Sequence, residues 1–85
     1  MRLDKYLKLS RIIKRRTIAK EACDTGRISV NGKTAKAGYE VKAGDILEIR
    51  FGNRLLKAEI LNLSENVRKE EASSMYKVLE GEDNL

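Results

Sequence analysis

Apolar side chains recur at helical spacing in two places near the start of the chain. Leu3, Leu7 and Ser10 would lie on one face of a first helix of about two turns, which needs packing to persist. A clearer second helix is predicted over residues 15–25, and Gly26 follows as its expected C-terminal cap. The apolar face of this second helix is formed by Ile18, Ala19, Ala22 and Cys23. We therefore expect Cys23 to be a small core residue rather than a reactive thiol.

Beyond Gly26 the apolar residues alternate with polar ones, as they do in strands. Ile28 and Val30 lead into Asn31-Gly32, the strongest two-residue hairpin signal, because both turn residues accept a positive φ. Three more strands are predicted, over residues 33–37, 46–51 and 55–63. The pattern predicts an α+β fold in which two short N-terminal helices pack on a small, mostly antiparallel sheet.

The last part of the chain has a different character. Helical spacing links Ala72, Met75, Tyr76 and Leu79. This spacing predicts a C-terminal helix over residues 67–79, with a strand over residues 75–79 as the alternative, and residues 81–85 should fray. The sequence thus divides into a first domain over residues 1–64 and an acidic C-terminal helix with a frayed tail over residues 65–85.

The size of the chain, 85 residues, leaves room for one domain that buries roughly 60 to 65% of the surface of its unfolded form. Such a small core favours recognition at the surface over an enclosed substrate cavity. One cysteine cannot form an internal disulfide, and no apolar run approaches the ~20 residues that span a bilayer. Lys5, Lys8 and Arg11 interrupt the apolar residues that a signal peptide needs. We expect a cytoplasmic monomer without a membrane partner.

Charge is distributed unevenly along the chain. Residues 1–36 contain eleven Lys/Arg and three Asp/Glu, a net charge of +8, whereas residues 37–64 are neutral and residues 65–85 carry −3. The total is +5. Asymmetry of this kind is typical of proteins that bind a nucleic acid or an anionic membrane surface, and of these two partners we expect the nucleic acid.

Five cations surround the start of the second predicted helix. They form what we name the basic cluster: Arg11, Lys14, Arg15, Arg16 and Lys20. Arg16 and Lys20 lie one turn apart, where like charges destabilise an isolated helix by roughly a few tenths of a kcal/mol. Cations at a helix start also oppose the macrodipole. Bound phosphate would explain both placements, because helix-start N–H groups and basic side chains attract the same anion. The alternative is a solvated helix face.

Three polar residues outside the basic cluster are candidates for the same surface. Arg2 precedes the first helix, where it either binds phosphate or is a disordered terminal cation. Asp4 either stabilises the helix start through the dipole or orients Arg2 or Arg16 through an ion pair. Lys33 directly follows the hairpin turn, whose own role is structural, and it can reach a phosphate.

The residue inventory opposes catalysis. The chain has no histidine and a single cysteine, so it lacks a nucleophile–base pair and a Cys/His cluster for zinc, and it has no Gly-rich phosphate loop. We expect no enzyme activity, no cofactor and no metal. With three Tyr and one Phe, a platform that stacks successive unpaired bases is not expected either. Recognition would rest on phosphates, shape and 2′-hydroxyls, as it does for structured RNA.

Four motifs in this order resemble a known family. RLDKYL, the basic KRRT, GRISVNGK and VKAGDILEI are similar to the small RNA-binding domain first known from ribosomal protein S4, over about residues 1–49. The resemblance implies two orthogonal helices on a small bent sheet, with RNA lying against the second helix and the hairpin. It implicates Arg2, Asp4, Lys14, Arg16, Thr17 and Lys33. The family often has a small hydroxyl residue before the helix arginine as a cap. This chain has Arg15 there, and we expect Thr17 to assist the cap instead.

A free-standing copy of this domain with a short acidic tail resembles ribosome-quality-control factors of the RqcP type and, more distantly, heat-shock protein fifteen. The resemblance implies binding to rRNA and peptidyl-tRNA on an obstructed large ribosomal subunit. The factor would act beside an RqcH-type quality-control factor that recruits alanyl-tRNA for C-terminal alanine tailing. The alternatives are a general rRNA/tRNA-binding or heat-shock ribosome-recycling factor, a protein-interaction adaptor with a basic face, and an RNA-modifying enzyme, which the residue inventory opposes.

Overall fold

The computed structural model describes residues 1–81, which form two α-helices, a 3₁₀ helix and one five-stranded sheet. The helical elements are α1 (Leu3–Leu9), α2 (Arg16–Asp24) and the 3₁₀ helix (Lys69–Met75). The strands are β1 (Ile28–Val30), β2 (Lys33–Thr34), β3 (Ile46–Phe51), β4 (Arg54–Ile60) and β5 (Tyr76–Gly81). They lie in the order β2-β1-β3-β4-β5, and every neighbouring pair is antiparallel. This architecture confirms the predicted α+β class.

The predicted hairpin joins β1 and β2. Asn31 and Gly32 have φ angles of 52° and 85°, the left-handed conformation that this turn requires. The Asn31 side chain also ties the turn to the loop before β3, since its oxygen accepts the N–H of Ile46 at 2.9 Å and its amide donates to Asp45 at 3.0 Å. The turn is therefore held by contacts fourteen and fifteen residues away in sequence.

The segment after β2 pairs with the start of α1 instead of continuing the sheet. The carbonyl of Ala37 accepts the N–H of Asp4 at 3.1 Å, and the carbonyl of Tyr39 accepts the N–H of Leu3 at 2.8 Å. Helix-start N–H groups need partners from outside their helix. The strand predicted over residues 33–37 was therefore too long, because the backbone beyond Thr34 turns to the helix.

The core lies between one face of the sheet and the two α-helices. The predicted alternation holds on β4, where Leu56, Ala58 and Ile60 are fully buried and the residues between them are partly exposed. From the helices the core receives Leu3, Tyr6, Leu7, Ala19, Ala22 and Cys23. Among the described residues, no helix has the length and the apolar character that crossing a membrane requires.

The prediction for the apolar face of α2 was wrong at one position. Ala19, Ala22 and Cys23 are buried as expected, but Ile18 is 42% exposed. Ile18 lies about 100° around the helix from Ala19, at the margin of the apolar arc. The three small side chains bury only a narrow strip of α2, so a residue at the margin stays at the surface.

The C-terminal segment differs from the prediction of one helix over residues 67–79. Helical structure is confined to the 3₁₀ helix, Lys69–Met75, and β5 follows it over Tyr76–Gly81, in line with the strand alternative. The fraying expected for residues 81–85 concerns, beyond Gly81, residues that lie outside the described part of the chain.

Two features favour a strand after residue 75. Pairing of β5 covers the backbone of β4, which would otherwise be an exposed sheet edge, and places Tyr76 opposite Ile60. Met75 is fully buried, and its carbonyl accepts the Tyr6 hydroxyl at 2.7 Å. A 3₁₀ helix brings residues three apart onto one face, so Ala72 and Met75 are buried together there, although their spacing had predicted an α-helix.

Candidate nucleic-acid interface

Asp4 is a buried carboxylate that holds two arginines. It is 2% exposed, in the first turn of α1. Arg2 donates from Nε to Oδ1 at 3.1 Å and from Nη2 to Oδ2 at 3.3 Å, and Arg16 of α2 donates from Nε to Oδ2 at 3.4 Å. The backbone N–H of Lys5 also donates to Oδ1, at 2.8 Å. We name these three side chains the Arg2–Asp4–Arg16 cluster. Asp4 had been interpreted either as a helix-start carboxylate favoured by the dipole or as the partner of Arg2 or Arg16 in an ion pair. The structure contains the ion pair, with both arginines.

The cluster keeps the Asp4 carboxyl ionised. Burial by itself would raise the pKa of Asp4, but the hydrogen bond from Arg2, the charge of Arg16 and the N–H of Lys5 together hold this pKa below its usual value. The side chains of Arg2 and Arg16 are 49% and 48% exposed. Each guanidinium is thus fixed on its inner side and accessible on its outer side, where its remaining N–H groups can bind an anion.

The start of α2 lies beside this cluster and carries no side-chain cap within residues 1–81. Arg15 occupies the N-cap position with an extended backbone, and Thr17, which had been expected to assist the cap, is exposed in the first turn without capping it. The first turn of α2 therefore combines helix-start N–H groups with the cations of Arg15 and Arg16. This combination attracts an anion through both the helix dipole and the side-chain charges.

Three members of the basic cluster line one cavity. Arg11, Lys14 and Arg15 surround a volume of about 430 Å³ between the α1–α2 connection and the turn that joins β3 to β4. Phe51 and Arg54 complete the lining from the other side. The sequence had not indicated Phe51 or Arg54, because they belong to the charge-neutral middle segment and only the folding of the sheet brings them here.

The remaining candidates are more dispersed. Lys20 is exposed on α2, one turn beyond Arg16 on the same flank, as predicted. Lys33 is exposed on β2, the strand at one edge of the sheet, and within residues 1–81 no hydrogen bond or ion pair links it to the Arg2–Asp4–Arg16 cluster or to the cavity. The structure therefore forms two local groups of cations around the start of α2 and leaves Lys33 on the hairpin.

Comparisons with protein families, with known sequences and with solved structures each find proteins that are similar to this chain. The model of the S4 domain family matches residues 1–47. The RQC P-site tRNA stabilizing factor of Halalkalibacterium halodurans is 65% identical over 78 residues, which are 92% of this chain and 89% of that protein. The protein of the same name from Listeria innocua is 60% identical over 82 residues, 96% of this chain and 89% of that protein. Among solved structures, trimeric Vibrio cholerae Heat Shock Protein 15 superposes with a TM-score of 0.84 at 30% identity, covering 92% of this chain and 80% of that one.

Proposed function

The chain belongs to the S4 domain family, and from this premise we propose that it is a non-catalytic RNA-binding factor of ribosome quality control. Its similarity to the relatives named RQC P-site tRNA stabilizing factor supports this proposal. Its partners are rRNA and tRNA on the large ribosomal subunit. It acts in the cytoplasm, as a monomer, through phosphate contacts made by the starts of α1 and α2.

The observation that carries this proposal is the Arg2–Asp4–Arg16 cluster. Two guanidiniums from different parts of the chain share one buried carboxylate, which leaves them half exposed and net positive. A guanidinium that is already held in place loses less conformational entropy when it binds a phosphate than a free one does. The cluster is therefore a preorganised binding site for two neighbouring phosphates of a folded RNA backbone.

The neighbouring cations extend this site along the RNA. Lys14 and Arg15 precede Arg16, Thr17 offers a hydroxyl in the first turn of α2, and Lys20 continues along the same flank. Arg11 and Lys33 contribute at the α1–α2 connection and at the hairpin. Residues 1–64 hold all of these contacts, so they form the RNA-binding part, whereas residues 65–81 supply the last strand of the sheet.

The bound RNA is peptidyl-tRNA together with rRNA on an obstructed large subunit. Neutralising phosphates of both molecules at one junction would favour a single tRNA position, since the factor binds best where both are in reach. An RqcH-type factor would use this fixed tRNA during C-terminal alanine tailing of the stalled chain. The chain itself supplies binding energy and no chemical group to that reaction.

The test is binding of the purified protein to large ribosomal subunits with and without peptidyl-tRNA, followed by crosslinking and sequencing of the attached RNA. We expect tighter binding to the tRNA-containing subunits and crosslinks to both tRNA and rRNA. Crosslinks to rRNA alone, with no effect of tRNA, would favour a general rRNA-binding or recycling factor. A complex that survives nuclease treatment would favour a protein-interaction adaptor and contradict the proposal.

A further inference from the structure

The cavity beside α2 has the size of a ligand site. Its volume of about 430 Å³ lies within the range of roughly 300 to 1,000 Å³ that is usual for small-molecule sites. It is built from two distant stretches of chain, residues 11–18 and residues 51–54. The Arg2–Asp4–Arg16 cluster contributes no side chain to it, so the cavity lies beside that cluster and shares only Arg11, Lys14 and Arg15 with the RNA surface proposed above.

The floor of the cavity is apolar. Ile12 and Ile13 are buried there, and Phe51 is partly buried against the core. Ile18 lines the same cavity and is 42% exposed, although the other apolar residues of α2 are buried. A flat apolar group placed against Ile18 and Phe51 would remove this surface from water.

The rim of the cavity is cationic. Arg11, Lys14, Arg15 and Arg54 line it, and among residues 1–81 no Asp or Glu does. The positive charges of Arg11, Lys14 and Arg15 beside an apolar floor are complementary to an occupant that is apolar at its centre and anionic at its edge. A nucleotide joins a flat base to a phosphate within one residue. An acidic peptide would have to combine two kinds of side chain, so the observations favour RNA.

The backbone at Arg11 supports a role for this rim. Arg11 has a φ angle of 61°, at the position after the C-cap of α1 where glycine is the usual residue. Its N–H donates to the carbonyl of Lys8 at 3.0 Å and closes the helix. Glycine would adopt this conformation without steric conflict, yet the chain has an arginine here. Strain of this kind is commonly found where a side chain has a binding role.

We propose that this cavity binds a single RNA nucleotide that is turned out of its stack, with the base against Ile18 and Phe51 and its flanking phosphates on Arg11, Lys14 and Arg15. The proposal rests on the RNA-binding function proposed above and adds a second contact mode to it. One base is involved rather than a run of bases, because Phe51 is the only aromatic residue among the described residues that line the cavity. The site therefore recognises an unpaired position next to a folded backbone.

The experiment compares two RNA hairpins that differ only in one bulged 2-aminopurine nucleotide. The full chain should bind the bulged hairpin about five-fold or more tighter than the fully paired one, which is the size expected for stacking one base. The 2-aminopurine fluorescence should change on binding. Ile18→Ser should abolish this preference and leave binding of the paired hairpin unchanged, whereas Arg16→Ala should weaken binding of both hairpins alike.

The outcomes separate this site from the proposed function. Equal binding of the two hairpins by the wild-type chain, or a preference that survives Ile18→Ser, would overturn the nucleotide site and leave RNA binding intact. Failure to bind either hairpin would overturn both. Phe51→Leu repeats the test from the other side of the cavity, and melting curves check that each variant folds. A peptide of alternating Asp and Phe provides the competing test. If it binds more tightly than the bulged hairpin, and if it lowers the affinity for the bulged hairpin to that for the paired one, the cavity belongs to a protein partner instead.

Discussion

Nε of Arg16 lies 3.4 Å from Oδ2 of Asp4, so a buried carboxylate on α1 holds a cation on α2 across twelve positions of sequence. The same carboxylate accepts two hydrogen bonds from Arg2. Asp4 therefore has two roles: it ties the two helices together, and it orients the guanidiniums that the proposed RNA site uses. These roles can be separated experimentally because they differ in their dependence on pH and on RNA.

Asp4→Asn should destabilise the protein by about 1 to 3 kcal/mol, since charge-assisted hydrogen bonds are lost inside the structure. Because the pKa of Asp4 is lowered from 3.8 in the folded state, its contribution is fully present above that value and is lost as the pH falls through the folded pKa. Urea unfolding should therefore show a constant difference between wild type and variant from neutral pH to mildly acidic pH, and a shrinking one below about pH 4. A difference that persists unchanged in strong acid would contradict this account.

Arg16→Ala should weaken RNA binding about ten-fold, equivalent to 1.4 kcal/mol, because a preorganised phosphate contact is removed. The free energy of unfolding should fall by less than about 1 kcal/mol, since the Arg16 side chain is 48% exposed and Arg2 still pairs with Asp4. Lys77→Ala, at an exposed position of β5, is the matched control and should change neither quantity. Filter binding and thermal melting measure the two effects. Lost stability with full RNA affinity would make Arg16 a structural residue.

The affinity for RNA should depend strongly on salt. If about five phosphates are neutralised, log K should fall against log salt concentration with a slope between roughly −3.5 and −4.5. Arg16→Ala should make this slope shallower by about the contribution of one phosphate contact. Titration at four or more salt concentrations measures both slopes. A salt-independent affinity is incompatible with a phosphate-based interface.

Tyr6→Phe tests the link between α1 and the C-terminal segment. The buried Tyr6 hydroxyl donates to the carbonyl of Met75 at 2.7 Å, and removing one such bond should cost about 0.5 to 1.5 kcal/mol. Tyr39→Phe is the matched control, because Tyr39 is 41% exposed and its loss of a hydroxyl should leave stability unchanged. Equilibrium unfolding of the two variants gives the comparison. Equal effects would mean that the Tyr6 bond does not anchor the segment.

Gly81→Ala tests the pairing of β5 with β4. A Cβ atom at Gly81 would overlap the carbonyl oxygen of Leu55, whereas one at Gly44 would meet no other atom of residues 1–81 within 4 Å. Both glycines have a positive φ, 87° and 94°, so the two substitutions share the conformational penalty and differ in the overlap. Gly81→Ala should therefore destabilise the protein by about 1 kcal/mol or more beyond Gly44→Ala. Similar melting temperatures for the two variants would argue against a paired β5 at this position.

Local signals predicted much of this protein from sequence. The Asn31-Gly32 turn, the two short helices and the alternation along β4 each depend on conformational preferences of residues a few positions apart. The charge of residues 1–36 likewise indicated a polyanionic partner without knowledge of the fold. Such features are visible in the chain because backbone sterics and side-chain periodicity act over one or two turns.

Only the tertiary structure decided the rest. It placed Arg16 and Arg2 on Asp4, exposed Ile18 at the margin of a narrow helix contact, and brought Phe51 to the same cavity. It also gave residues 76–81 to the sheet instead of to a helix. Each of these outcomes depends on contacts with an open sheet edge or a neighbouring helix that is distant in sequence. Such contacts contribute free energy only once the chain has folded, so local sequence patterns do not reveal them.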